Sequence, residues 1–268
     1  MAVEFLEGRF GAKGWPVCRL GISGSYRPGE RGIRRVLDEG VNVVFLYGVD
    51  SPTVRVVREM NADRRDRLVV ITGAYNYIWG HQNLKKTLEK RLRQLRTEYI
   101  DLFLFLGVTN RKHFSDRVRG ELQELRQDPR VRGVGFSCHD RTLAGEVAAR
   151  GELDGMMVRY NAAHRGAERE VFPFLEAHQP EVVSYTATRW TYLLHKPRAW
   201  SGRTMTGGEC YRFVLTNPNV SVCLMAPRSE REAMENLEAV RRGPLDADEM
   251  AWVREYGDAV HRSAGWFW

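Results

Sequence analysis

The chain has no apolar run approaching the ~18 residues that a membrane-spanning helix requires. Its opening segment, MAVEFLEGRFGAKGW, has neither the basic n-region nor the apolar h-region of a secretory signal. A membrane protein is therefore not expected, and a cytoplasmic location is. The four cysteines, Cys18, Cys138, Cys210 and Cys223, are widely spaced and form no CxxC pair, which speaks against a disulfide framework and against a zinc or iron–sulfur site. The seven histidines form no HxH or HxxxH cluster, so no metal is expected. No Gly/Ser or Pro-rich linker divides the sequence, and one domain over residues 1–268 follows. Lysine is scarce, six against 35 arginines, and the net charge is +7. Those cations alternate with Asp and Glu in RLRQLRTEYID and RVRGELQELRQDPR, as on a solvated helix face, and no zinc-finger or RNP-like motif occurs. Nucleic acid is not an expected partner; a small molecule is.

What the sequence does have, at 43% hydrophobic and 28% charged residues, is the composition of a globular protein. Short β-rich apolar runs alternate with helical patterns along its whole length. Strands are predicted at 18–23, 41–47, 68–75, 101–108, 133–139, 155–162, 182–187 and 220–227. Apolar residues at three- and four-residue spacing, such as Leu84, Leu88, Leu92 and Leu95, mark the intervening helices. Eight strand–helix units over about 250 residues are the size and repeat of an α/β fold of the (β/α)8 TIM-barrel type. The segment FLEGRFGAKGWPVCRL is expected to form a hairpin plugging the N-terminal end of the barrel. From residue 246 to 268 an extra helix, DADEMAWVREYGDAVH, leads to the aromatic Trp266, Phe267 and Trp268, expected to pack on the barrel or on a partner chain.

Barrel chemistry sits where strands end and the following loops begin. Those positions carry Ser23, Ser25, Tyr47, Tyr75, Trp79, Ser137, His139, Arg159, His164, Arg165, Tyr185, Thr186, Arg189, Arg228 and Ser229. No carboxylate pair stands among them, which disfavours a glycosidase. His139 and His164 are candidates for proton transfer, with hydrogen-bonded loop histidines as the alternative. Arg159, Arg165 and Arg189 lie at neighbouring strand ends and would suit an anionic substrate group or serve as ion-pair partners, and Trp79 would add an aromatic contact. In APRSEREAMENL, Arg228, Ser229 and Arg231 stand at a helix start that can hold a phosphate or simply be a capped, solvated helix end.

The segments LDEGVNVVFLYG, LRTEYIDLFLFLG, RVRGVGFSCHD, VRYNAAHRGAEREVFPFLEA, VVSYTATRW and APRSEREAMENLEA, taken in order, make the chain resemble the aldo-keto reductase superfamily over nearly its whole length. The resemblance implies a (β/α)8 barrel that binds NADP(H) across its mouth and reduces carbonyls with an Asp, Tyr, Lys, His tetrad. In this chain the Asp position falls on Phe45, the Lys position on Gly73 and the His position on Leu106, so Tyr47 alone matches. On the cofactor side, Ser137 matches the serine beside the nicotinamide amide and Tyr185 the tyrosine stacked on its ring. Arg228, Ser229, Arg231 and Asn236 lie in the segment for the adenosine phosphate. The expected function is an NADP(H)-dependent oxidoreductase with an altered active site, acting on a small, anionic or aromatic substrate. A non-redox lyase or isomerase and a catalytically silent cofactor-binding protein are the alternatives, and the oligomeric state is open.

Overall fold

The structure, a computed structural model, describes residues 2–26, 28–78, 80–198 and 200–263, with the backbone alone at 2–3 and 61–63. In chain order its elements are α1 (Ala2–Leu6), β1 (Glu7–Phe10), β2 (Trp15–Cys18), β3 (Leu20–Ser23), α2 (Gly29–Asp38), β4 (Val43–Phe45), α3 (Ser51–Arg64) and β5 (Val69–Tyr77). There follow β6 (Gly80–His81), α4 (Leu84–Leu95), β7 (Leu102–Val108), α5 (Asp116–Arg126), β8 (Val134–Cys138), α6 (Arg141–Ala149) and β9 (Gly155–Arg159). The last are α7 (Ala167–Glu170), β10 (Glu181–Tyr185), α8 (Gly207–Thr216), β11 (Val222–Met225), α9 (Glu230–Arg241) and α10 (Ala247–Ser263). The parallel strands β3, β4, β5, β7, β8, β9, β10 and β11 pair in that order, and β11 returns to β3, so the sheet closes. All eight predicted strands are present and the fold is the expected (β/α)8 barrel.

Side chains alternate between the two faces of each strand, and here one face fills the barrel while the other meets the helices. Val43 and Phe45, Val69 and Ile71, Leu102, Leu104 and Leu106, Met157, Val183, Val222 and Leu224 form one buried apolar cluster inside the barrel. Phe10 and Val17, from the antiparallel β1–β2 hairpin, belong to the same cluster. The hairpin thus plugs the N-terminal end, tied to β10 by a hydrogen bond of 2.6 Å from the Gly11 amide to Glu181 Oε1. With that end filled, the open end is the C-terminal one. Outside, the leucines of α4 are buried as their spacing predicts, and Asn83 caps that helix by accepting from the Lys86 amide at 2.8 Å.

Interior glycines fall where strands approach one another too closely for a side chain. A Cβ on Gly73 would stand 1.9 Å from the Leu104 carbonyl oxygen, and one on Gly135 2.2 Å from that of Gly155. The position where a family lysine would be is therefore closed to any side chain.

The extra helix is α10, and two of the arginines expected to hold a substrate anion, Arg165 and Arg189, hold this helix. Arg165 pairs with Asp258 at 2.7 Å and donates to the carbonyls of Ala162 at 2.6 Å and Arg254 at 3.3 Å. Arg189, buried, donates to the Val260 carbonyl at 3.0 Å. Their partners on α10 lie 71 to 93 residues away along the chain, so strand-end position alone could not reveal them. His164 packs edge-on against His261 of α10, ring centroids 5.2 Å apart, and its Nε2 is buried without a hydrogen-bond partner. Burial, reinforced by Arg159 and Arg189, pushes this imidazole down to about 3, so it is neutral and turned to α10. Trp79 and the aromatic residues 266–268 lie outside the described residues.

Two outcomes follow. Unfolded, His164 takes up a proton near pH ~6.5, whereas folded it does so only near 3. Between those values the unfolded chain binds more protons, so the stability this residue contributes is complete above the window and falls with pH through it. Thermal melts at pH 7.5 and pH 4.5 should show a loss on acidification that His164→Gln reduces; an identical loss in the variant contradicts the assignment. Gly73→Ala should lower stability by about 1–3 kcal/mol, measured by denaturant unfolding, because the strand pair must separate to admit the methyl group.

Candidate active site

A cavity of about 470 Å³ opens at the C-terminal mouth of the barrel. One wall comes from β3, β4 and β5 and carries Ser23, Ser25, Phe45, Tyr47 and Tyr75; Leu106 and Gly107 of β7 continue it. The facing wall comes from β8, β9 and β10 and carries Ser137, His139, Met157, Tyr185 and Thr186. Tyr26, Tyr211 and Trp190 complete its aromatic lining. None of the described residues lining it is Asp, Glu, Lys or Arg.

The first wall is a file of hydroxyls and stacked rings. Tyr47 lies edge-on to Phe45 at 4.8 Å and stacks on Tyr75 at 5.9 Å, which in turn stacks on Tyr77 at 6.1 Å. Ser25 Oγ donates to Tyr47 Oη at 3.3 Å and shares a hydrogen bond of 2.7 Å with Ser23 Oγ. Because Tyr47 Oη accepts from Ser25, its own proton is free to be donated. The short turn that presents Tyr47 is fixed from behind by α4. Buried Arg91 donates to the Tyr47 carbonyl at 2.7 Å, and Gln94 to that of Gly48 at 2.7 Å. Gly48 has φ 80°, and a Cβ there would stand 2.0 Å from Arg91 Nη1, so only glycine admits the guanidinium.

On the facing wall, Tyr185 Oη is within 3.2 Å of the His139 ring nitrogens, and the two rings meet edge-on. Burial, then Arg159, lowers the His139 imidazole below its ordinary value, and burial raises the phenols of Tyr185 and Tyr75. Each of these shifts favours the neutral form. The loop after β10 is held in left-handed backbone at Thr186, Arg189, Trp190 and Thr191, with φ of 55°, 51°, 50° and 74°. Strain of this kind persists where the surroundings over-determine it, commonly at functional sites. Thr186 Oγ1 in this loop is buried without a hydrogen-bond partner.

Tyr47, Ser137, His139 and Tyr185 are thus brought together around one cavity. His164, Arg159, Arg165 and Arg189 do not line it. In the presumed phosphate segment, Arg228 lies over the ring of Tyr26 at 5.6 Å and so stands at the rim. Ser229 is the N-cap of α9, accepting from the Glu232 amide at 3.1 Å, while Asn236 is buried beside Gly207. Arg231, its side chain 88% exposed, lies 3.6 Å from Glu235. The expected tetrad positions, Phe45 and Leu106, line the cavity as hydrocarbon. Sequence reading assigned no role to Tyr75, although the strand alternation Val69, Ile71, Gly73, Tyr75 places it inward. Arg91 gave no signal, being a helix arginine like many others. Among the described residues no group of three or more His, Cys, Asp or Glu could hold a metal ion, and no helix is long and apolar enough to cross a membrane.

Comparison with known proteins agrees with this geometry. The chain is 26% identical over 212 residues to the uncharacterized oxidoreductase YqkF of Bacillus subtilis, covering 72% of this chain and 68% of that one. It is 24% identical over 170 residues to the methylglyoxal reductase YeaE of Escherichia coli, covering 62% and 55%. Among solved structures, the holo form of aldo-keto reductase AKR11C1 from Bacillus halodurans superposes with a TM-score of 0.78 at 20% identity, covering 94% of this chain and 96% of that one. An aldo/keto reductase from Klebsiella pneumoniae in complex with NADP and acetate superposes with a TM-score of 0.74 at 20% identity, covering 94% and 95%. The model of the aldo/keto reductase family matches residues 47–197, more than half of the sequence, and the chain belongs to that family.

Proposed function

We propose that the protein is an NADP(H)-dependent oxidoreductase that reduces a small, uncharged carbonyl compound in the mouth cavity. The observation that carries this reading is the chain of hydroxyls, Tyr47 to Ser25 to Ser23, lining the same cavity as Ser137 and Tyr185. Family membership and the cofactors named with its structural neighbours, NADP and NADPH, support the same reading.

The residues present fit the cofactor. Ser137 lines the cavity together with Tyr185, whose ring meets that of His139 edge-on, and the donors offered there are neutral ones suited to a carboxamide. Ser137 would hold the amide end, Tyr185 would flank the ring, and Arg228 at the rim would meet a phosphate, with the exposed Arg231 near it in sequence. Ser229 and Asn236 act in this reading by shaping the start of α9. When bound, the reduced dinucleotide supplies the hydride equivalent that a carbonyl carbon accepts.

This chain's own part is to bind, orient and protonate. Tyr47 donates its Oη proton to the carbonyl oxygen as negative charge develops there, and Ser25, exposed at the mouth, returns one from solvent. The uncharged lining favours a neutral substrate over the anionic one expected from the arginines, since an ion brought in would lose its water without gaining a partner. His139 works as a neutral hydrogen-bonding group and not as an acid, in line with its lowered basicity.

Fluorescence titration should show NADPH binding more tightly than NADH, with Arg228→Ala weakening NADPH by about tenfold. With methylglyoxal as test substrate, NADPH oxidation should be matched by loss of the carbonyl. Tyr47→Phe should lower kcat about a hundredfold and leave KM little changed. Absence of NADPH binding overturns the reading.

A further inference from the structure

We propose that Asp50 is a positioning residue, which fixes the phenol of Tyr47 by gripping the peptide unit that follows it and by seating the turn of Ser25 against it. The proton-donating task of Tyr47 rests on the function proposed above; the positioning does not. The Gly48 amide donates to Asp50 Oδ1 at 3.0 Å, and the Tyr47 carbonyl accepts from Arg91 Nη2 at 2.7 Å. That carbonyl and that amide are the two ends of one planar peptide unit. A carboxyl on its N–H and a guanidinium on its C=O oppose rotation of the plane from both sides. Gly48, at φ 80°, has no Cβ to restrain the backbone here, so the restraint comes from these two side chains. A plane held in place constrains ψ of Tyr47, and with it the direction in which the phenol leaves the backbone.

The second carboxyl oxygen reaches the other half of the hydroxyl chain. Gly24 stands between Ser23 and Ser25, and a Cβ on it would lie 2.5 Å from Asp50 Oδ2 and 2.1 Å from Thr53 Oγ1. The turn after β3 therefore rests on the Asp50 carboxyl and on the first turn of α3. One side chain thus touches both backbone segments whose hydroxyls meet, Tyr47 Oη and Ser25 Oγ at 3.3 Å. That separation is long for two hydroxyls, so a small displacement of either turn breaks the bond. Asp50 does not line the cavity and its Oδ2 is buried, so its effect must pass through Tyr47 and Ser25. Although it is the N-cap of α3, its side chain makes no capping hydrogen bond, and the usual reason for an acid at that position does not apply. Burial raises the carboxyl above its ordinary value against the pull of Arg91, so a neutral residue would be the easier one to bury here.

The test reads the Tyr47 ring directly, by fluorine NMR of the full chain with 3-fluorotyrosine incorporated at position 47 or, as a control across the cavity, at position 185. Asp50→Ala should move or broaden the resonance at 47 and leave that at 185 in place, while Asp50→Asn, which keeps an acceptor for the Gly48 amide, should stay close to the wild type. Gly24→Ala, which forces the Ser25 turn off the carboxyl without altering Asp50, should move the same resonance, so the test does not rest on the folding of one variant. With NADPH and methylglyoxal, Asp50→Ala should lower kcat about tenfold and change KM by less than about twofold. In the Tyr47→Phe background it should lower kcat no further, because its effect passes through the phenol. A resonance at 47 that stays put in Asp50→Ala or in Gly24→Ala, both resonances moving together, an equal loss of kcat in the two backgrounds, or a loss confined to KM overturns the proposal. The resonances are read without cofactor or substrate, so a protein that binds no NADPH but whose signal at 47 alone answers to Asp50 would refute the reductase reading and leave the positioning standing.

Discussion

The interior of this barrel is hydrocarbon up to its mouth, and the site depends on that constraint. Val43, Ile71, Leu104, Met157 and Val222 fill it, and Phe45 and Leu106 carry the same character to the cavity floor. A lysine or carboxylate placed there would surrender its hydration to an apolar medium at large cost. Hydroxyls bear that environment at much lower cost because they carry no net charge. Among the described lining residues the polar side chains are accordingly those of serine, threonine, tyrosine, one tryptophan and one neutral histidine, and burial also holds Tyr75 and Tyr185 protonated.

Charge is moved one layer out, where it positions rather than reacts. Arg91 grips the carbonyl of Tyr47 from α4, and Arg189 and Arg165 grip α10. These guanidiniums replace backbone partners that the loops lack, since a carbonyl out of reach of water must find a donor. Their fields still reach the site: Arg159 helps keep His139 neutral, and Arg91 biases Tyr75.

The barrel was legible because period-two strands and spaced helical leucines are local signals, and the hairpin plug because its apolar Phe10 and Val17 are set in a Gly-rich turn. Order along the chain placed Tyr47, Ser137 and Tyr185 at the barrel mouth, and all three line the cavity there. The α10 partners of Arg165 and Arg189 were not legible, because a strand-end arginine looks the same whether it faces a ligand or a helix arriving some 71 residues later. The unpartnered state of the Tyr75 hydroxyl was hidden for the opposite reason: a missing hydrogen bond shows only in three-dimensional accounting.

The central claim is that neutral hydroxyls carry the chemistry, and the pH dependence of NADPH oxidation with a neutral aldehyde tests it most directly. The His139 and His164 imidazoles are held neutral to below their ordinary range, and the phenols of Tyr75 and Tyr185 to above theirs. The account predicts a kcat/KM that is level from about pH 7 to 9, the interval in which none of these four groups changes charge. A tenfold change per pH unit inside that interval would mean that a charged acid or base drives the reaction and would contradict it.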